Sequence, residues 1–154
     1  MARFSYPCGQ DDVKKVLPHR DPFLWVTRVL ECEPGVRAVA QLDVSADLPV
    51  FQGHFPQYPV LPGVIIMEAL AQTSCFCLMA EADQQGGLGL FAGIDKAKFR
   101  RQVLPGDVLD LEAVITRNSR RMCVAEVTAS VDGQVCATAV QKYVMTQAPA
   151  AGQE

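Results

Sequence analysis

Histidine occurs only twice in this chain. One copy, His54, stands in the segment Gly53 to Gln72, GHFPQYPVLPGVIIMEALAQ, together with a glutamate, Glu68, planted among apolar residues. A neutral imidazole can take a proton from carbon, and a carboxyl kept protonated by apolar surroundings can give one up. Such a pair suits proton abstraction at one carbon and protonation of a leaving group at the next. Gln72 follows Glu68 by four residues and shares its helical face, so it is placed to orient the carboxyl or a substrate oxygen. The N–H groups of Gly63 and Val64 open the same helix, where its dipole favours negative charge developing on a carbonyl oxygen. Taken alone, one His in a loop and one Glu in a helix are more often structural than catalytic. Their company shifts the balance, because Glu68 has no basic residue within a helical turn, so no salt bridge within the helix is available and its burial is otherwise costly.

The elements that must carry these groups follow from pattern. Gly63 to about Glu81 is apolar nearly all round, so it is a helix enclosed by the fold. The apolar run Val64 to Ala80 is short for a membrane span, and Glu68, Gln72, Thr73 and Ser74 interrupt it. Pro62 suits the first turn of that helix, and Gly63 lets a ligand approach the backbone. Before it, Ser45 to Pro62 holds no period and reads as a long functional loop without secondary structure of its own.

Upstream, Asp11 to Leu17 reads as a short amphipathic helix stopped by Pro18. Phe23 to Glu31 and Val36 to Val44 then read as a hairpin about Glu33-Pro34-Gly35. Downstream of the Gln84 to Gly87 break, the runs Leu88 to Ile94 and Ala97 to Val103 lead to a Pro105-Gly106-Asp107 turn. Val108 to Arg117, Arg121 to Val131 and Gln134 to Met145 are alternating strands, the last two joined by a tight turn at Asp132-Gly133. Successive hairpins and one enclosed helix predict an α+β fold in which an antiparallel sheet wraps the helix.

Composition bounds the rest. A chain of 154 residues with 49% hydrophobic content suits one domain, expected over residues 1–147, with a disordered tail at 148–154. Six cysteines without a C-x-x-C pair read as free thiols in a reducing compartment, and Met1 to Phe4 leads into no signal core, so a cytoplasmic location is expected. A net charge of −3 gives no case for nucleic acid, and no ligand cluster calls for a metal. His19, beside Arg20 at a helix-to-strand junction, reads as structural. Cys75 has no neighbour that would activate it as a nucleophile.

The segment Gly53 to Gln72 closely resembles the active-site segment of the hotdog-fold 3-hydroxyacyl-[acyl-carrier-protein] dehydratases of the FabZ type. Leu17-Pro18-His19-Arg20 with Pro22-Phe23-Leu24, Ile94 to Arg100, and Val103 to Asp107 resemble further motifs of that family, so the likeness spans roughly Leu17 to Met145. The resemblance implies a hotdog fold and the elimination of water from a 3-hydroxyacyl thioester to give the trans-2-enoyl product. It implies His54 as the base, Glu68 as the acid, and the Gly63 N–H as the donor that polarises the thioester carbonyl. Val64, Gln72, Phe55 and Tyr58 would contact the substrate, whose acyl chain would run in a tunnel along the helix. It also implies a homodimer whose sites each draw base and acid from different subunits, often assembled as a trimer of dimers, with no metal or redox cofactor. Lys96, Lys98, Arg100 and Arg101 are then either a solvated strand face or a dock for the acidic acyl carrier protein. Asp21, Thr27 and Gln57-Tyr58 depart from the family pattern, and Tyr58 makes the loop beside His54 bulkier. Related dehydratase-isomerases of the FabA type carry aspartate at the acid position, so Glu68 favours the plain dehydratase. A thioesterase and a non-catalytic acyl-thioester binder on the same fold are the competing readings.

Overall fold

The computed structural model describes residues 3–53, 55, 57–81 and 87–147. Its centre is helix α3, Gly63–Met79. From Ile66 to Met79 every residue except Glu68 is buried, so the helix has no solvent face and must be enclosed. Polar residues inside it satisfy themselves locally: Thr73 Oγ1 donates to Ala69 O at 2.9 Å and Ser74 Oγ to Leu70 O at 3.2 Å.

Six strands do the enclosing: β1 (Arg28–Glu33), β2 (Arg37–Asp43), β3 (Gly87–Phe99), β4 (Val108–Asn118), β5 (Cys123–Val131) and β6 (Gln134–Gln147). They form one sheet in the order β1-β2-β4-β5-β6-β3. Every neighbouring pair is antiparallel. Buried and less buried residues alternate along β2 and β5, and the buried set, which includes Ala38, Ala40, Val127 and Ala129, belongs to the core. This sheet around a central helix is the hotdog arrangement, an α+β fold. A short helix α1 (Gln10–Val16) lies at the start of the chain, with Asp11 and Asp12 in its first turn and Lys14 and Lys15 in its last.

Contact between sheet and helix is close enough to fix a residue type. A Cβ added at Gly89 on β3 would lie 2.3 Å from the Cys75 sulfur on α3, so only glycine lets the strand approach there. The Asp132-Gly133 turn matches its sequence signature, with φ of 49° and 82° at its two residues, the left-handed pair that a tight hairpin requires.

Several boundaries differ from the sequence reading. The first strand begins at Arg28 rather than Phe23, because the backbone of Phe23 and Trp25 bonds to the side chain of Gln72 instead of a neighbouring strand. The loop at 45–62 contains a helical turn, α2 (Val50–Gly53), which buries Phe51 and closes with a Phe51 N–H to Leu48 O bond of 3.1 Å. The two runs at 88–94 and 97–103 are one strand, β3, that ends at Phe99. Its register slips between Phe91 and Gly93 and again between Asp95 and Lys98, where Lys96 has φ 54°. These bulges bend the strand and mimic a break in the pattern. Helix α3 stops at Met79, two residues short of expectation. The expected tail at 148–154 and residues 84–86 of the expected break lie outside the described residues.

The Gly89 contact yields a test. Gly89→Ala should destabilise the fold by about 1–3 kcal/mol through overpacking, and adding Cys75→Ala should return part of that loss. Denaturant midpoints of the single and double variants measure it, and simple addition of the two penalties would refute the contact.

Candidate active site

Glu68 is the one interruption in the buried run of α3, and its side chain is 19% exposed. Burial pushes its carboxyl above the ordinary glutamate range, while a hydrogen bond from Gln72 pulls the other way. The Gln72 Nε2 donates to Glu68 Oε2 at 3.0 Å and to Phe23 O at 2.8 Å, and its Oε1 accepts from the Trp25 N–H at 2.8 Å. Gln72 is itself buried, so these bonds commit both hydrogens and the oxygen of its amide within the chain. It therefore holds the Glu68 carboxyl and pins the Phe23 to Trp25 segment across the helix.

The histidine beside Glu68 is the one that sequence reading set aside. His19 Nε2 lies 3.7 Å from Glu68 Oε2, with its side chain 21% exposed. Burial first, and then the neighbouring Arg20 charge, hold its pKa below the usual histidine value. Its Nδ1 is buried without a hydrogen-bond partner among the described residues. Arg20 fastens this stretch by donating to the carbonyls of Leu17 at 2.8 Å, His19 at 2.7 Å and Lys14 at 3.1 Å. His54 lies outside the described residues.

At the start of α3, Ile65 and Ile66 donate to Pro62 O at 3.0 Å and 3.2 Å. The N–H groups of Gly63 and Val64 bond to no backbone acceptor among the described residues. A Cβ at Gly63 would meet the Phe99 ring at 2.7 Å, so glycine here admits a side chain from β3. A cleft of about 400 Å³ opens beside this helix end, lined by Gly63, Ile66, Phe99, Arg100, Arg101 and Gln102 among others, and Glu68 is not part of its wall. Val64 is 74% exposed. Phe55 is also exposed, with φ 51°, and the exposed Tyr58 gives its hydroxyl to Gln102 Oε1 at 2.6 Å.

Lys96, Lys98 and Arg100 line a second, smaller cleft of about 290 Å³ with Glu126, Thr128 and Thr138. They thus share one face although the strand is bulged and Arg100 lies past its end. Arg101 turns away to Asp107, 3.5 Å distant, and joins the first cleft. Among the described residues no group of three His, Cys, Asp or Glu side chains could hold a metal ion, and no helix is long and apolar enough to cross a membrane. The six cysteines are free, and burial pushes the Cys75 thiol up to about 12.

A sheet curled about one enclosed helix, with a carboxyl and its amide support projecting from that helix, defines a hotdog-fold protein with an acid on its central element. The family model described as the FabA-like domain matches residues 17–140, and the chain belongs to that family. It is 51% identical over 137 residues to the 3-hydroxyacyl-[acyl-carrier-protein] dehydratase FabZ of Ruminiclostridium cellulolyticum, a match covering 89% of this chain and 96% of that protein. The protein of the same name from Acetivibrio thermocellus is 47% identical over 134 residues, covering 87% of this chain and 92% of the relative. Among solved structures, the dehydratase heterocomplex ApeI:P from Xenorhabdus doucetiae shares the fold, with a TM-score of 0.76 at 22% identity over 96% of this chain and 94% of that chain.

The raised carboxyl has a stability consequence. Folding holds a proton on Glu68 that the unfolded chain has already released above its ordinary pKa, so wild-type stability falls as pH rises from the unfolded toward the folded value. Glu68→Gln carries no such charge. Its melting temperature relative to wild type should therefore climb as pH rises above the ordinary glutamate pKa of about 4, and a difference that stays flat with pH would show that the carboxyl is not raised.

Proposed function

We propose that this chain is a 3-hydroxyacyl-[acyl-carrier-protein] dehydratase of fatty-acid or related lipid or polyketide synthesis, working in the cytoplasm. The observation that carries the reading is a carboxyl raised by burial and held by Gln72, in a FabA-like chain half identical to a dehydratase named FabZ. In the proposed reaction His54 takes the α-proton of the 3-hydroxyacyl thioester. Glu68 protonates the departing hydroxyl, water leaves, and the double bond forms between the two carbons. The N–H groups of Gly63 and Val64 polarise the thioester carbonyl as enolate charge develops. Phe55 and Tyr58 contact the substrate. The surplus proton on His54 and the deficit on Glu68 cancel when the site resets, so no metal or redox cofactor is called for.

The partner is an acyl carrier protein, whose acidic surface would meet Lys96, Lys98 and Arg100, with Arg101 at the cleft beside Gly63. A second copy of the chain completes the site. Supporting this, β3 ends the sheet and carries exposed Leu90, Phe91 and Ile94, a long apolar edge of the kind that a second strand covers. The dimer is the unit, and a trimer of dimers is the larger assembly the resemblance implies. Neither nucleic acid nor membrane takes part.

Incubation with a 3-hydroxyacyl carrier substrate should produce enoyl absorbance without release of free thiol. His54→Ala and Glu68→Gln should each lower turnover by about 10²- to 10⁴-fold while circular dichroism shows the fold intact. Near-normal rates in either variant would contradict the roles, and free thiol without enoyl product would mark a thioesterase. Charge reversal at Lys98 and Arg100 together should raise KM for carrier-bound substrate by about tenfold or more and leave a small thioester mimic unaffected. An equal effect on both substrates would mean the basic face is not a dock.

A further inference from the structure

We propose that His19 is a positioning residue for the acid: its Nε2–H and the amide of Gln72 converge on Oε2 of Glu68 and so confine the transferable proton to Oε1. The inference rests on the dehydratase reading above, in which Glu68 is the acid.

The amide end is fixed first. Gln72 Oε1 takes the Trp25 N–H at 2.8 Å and its Nε2 gives one hydrogen to Phe23 O at 2.8 Å, so the amide cannot flip and its other hydrogen must point at Glu68 Oε2, 3.0 Å away. The histidine end follows from its tautomer. Nδ1 is buried without a partner among the described residues, and a proton placed there would be an orphaned donor, whereas a bare nitrogen leaves only an unused acceptor. The proton therefore belongs on Nε2, which faces Glu68 Oε2 at 3.7 Å. That separation is longer than a hydrogen bond, as contacts in a substrate-free site often are before binding tightens them. Proximity is set by the backbone, because Arg20 ties down the carbonyls of Lys14, Leu17 and His19.

With two donors on Oε2, the neutral acid holds its proton on Oε1, the oxygen left free to face a leaving hydroxyl. When that proton departs, the same two donors stabilise the carboxylate that remains. His19 is uncharged in this role, since burial and Arg20 disfavour its cation. Among the described residues, Cys75 from α3 and Tyr143 from β6 also interact electrostatically with Glu68, both held neutral by burial, and His54 joins them in the proposed reaction.

The test compares wild type, His19→Phe and His19→Gln in kcat, KM and the pH dependence of kcat. Loss of a donor to the carboxylate raises the pKa of Glu68, so in His19→Phe the basic limb of kcat should move to higher pH. Its kcat should fall about 10- to 100-fold below that limb, with KM changed less than about threefold. His19→Gln restores an N–H donor and should recover most of the rate and the original limb. Should His19→Phe fail to fold, His19→Asn, polar but too short to reach Oε2, takes its place with the same expected result. A wild-type limb and rate in the Phe or Asn variant would overturn the proposal. So would equal losses in the Gln and Phe variants with no shift of the limb, the mark of a structural role. If wild type itself forms no enoyl product, the dehydratase reading fails instead. The pairing is then judged by ¹³C titration of the Glu68 carboxyl, which must rise in His19→Phe.

Discussion

The side-chain amide of Gln72 is the constraint on which the site depends. Helix α3 is enclosed from Ile66 to Met79, and an enclosed helix has no cheap place for a carboxyl. Glu68 is the one residue of that run that is not buried, and Gln72, one turn on, gives it a donor while reaching across to Phe23 and Trp25. One buried amide thus joins the acid, the central helix and the segment that leads into β1. It also explains why that segment is not a strand, since its backbone groups are satisfied by a side chain instead of a ladder.

The sheet answers the same demand from the other side. To close round a helix that is apolar on every side it must bend and approach closely. The two register slips in β3 provide the bend, and Gly89 allows the approach to Cys75. A polar network lies against α3 from β6: Tyr143 donates its hydroxyl hydrogen to Gln141 Oε1 and pairs with Ser74 Oγ at 2.9 Å, and Gln141 Nε2 donates to Met67 O at 3.0 Å. Each partner is buried and each is satisfied, so the helix is fixed from that side as well.

Much of this was legible in the sequence, and the reasons are local. The nearly all-round apolar character of Gly63 to Met79, the spacing of Glu68 and Gln72 on one face, and the Asp132-Gly133 turn are each written in local sequence. What sequence hid depends on distance along the chain. His19 lies far from Glu68 in sequence, and only the fold brings its Nε2 to 3.7 Å, though its place in the Leu17 to Arg20 motif was a signal. The Phe99 ring beside Gly63 and the bond from the Tyr58 hydroxyl to Gln102 likewise join residues far apart along the chain. The bulges of β3 hid one strand as two, because a slipped register disturbs the alternation by which strands are read.

The central claim is that the fold holds Glu68 protonated above the range of an ordinary glutamate so that it can serve as an acid. Titration of its carboxyl carbon by ¹³C NMR in glutamate-labelled protein, with Glu68→Gln to assign the resonance, measures this directly. A midpoint clearly above the ordinary glutamate value is the predicted result. A midpoint at or below that value would contradict the account.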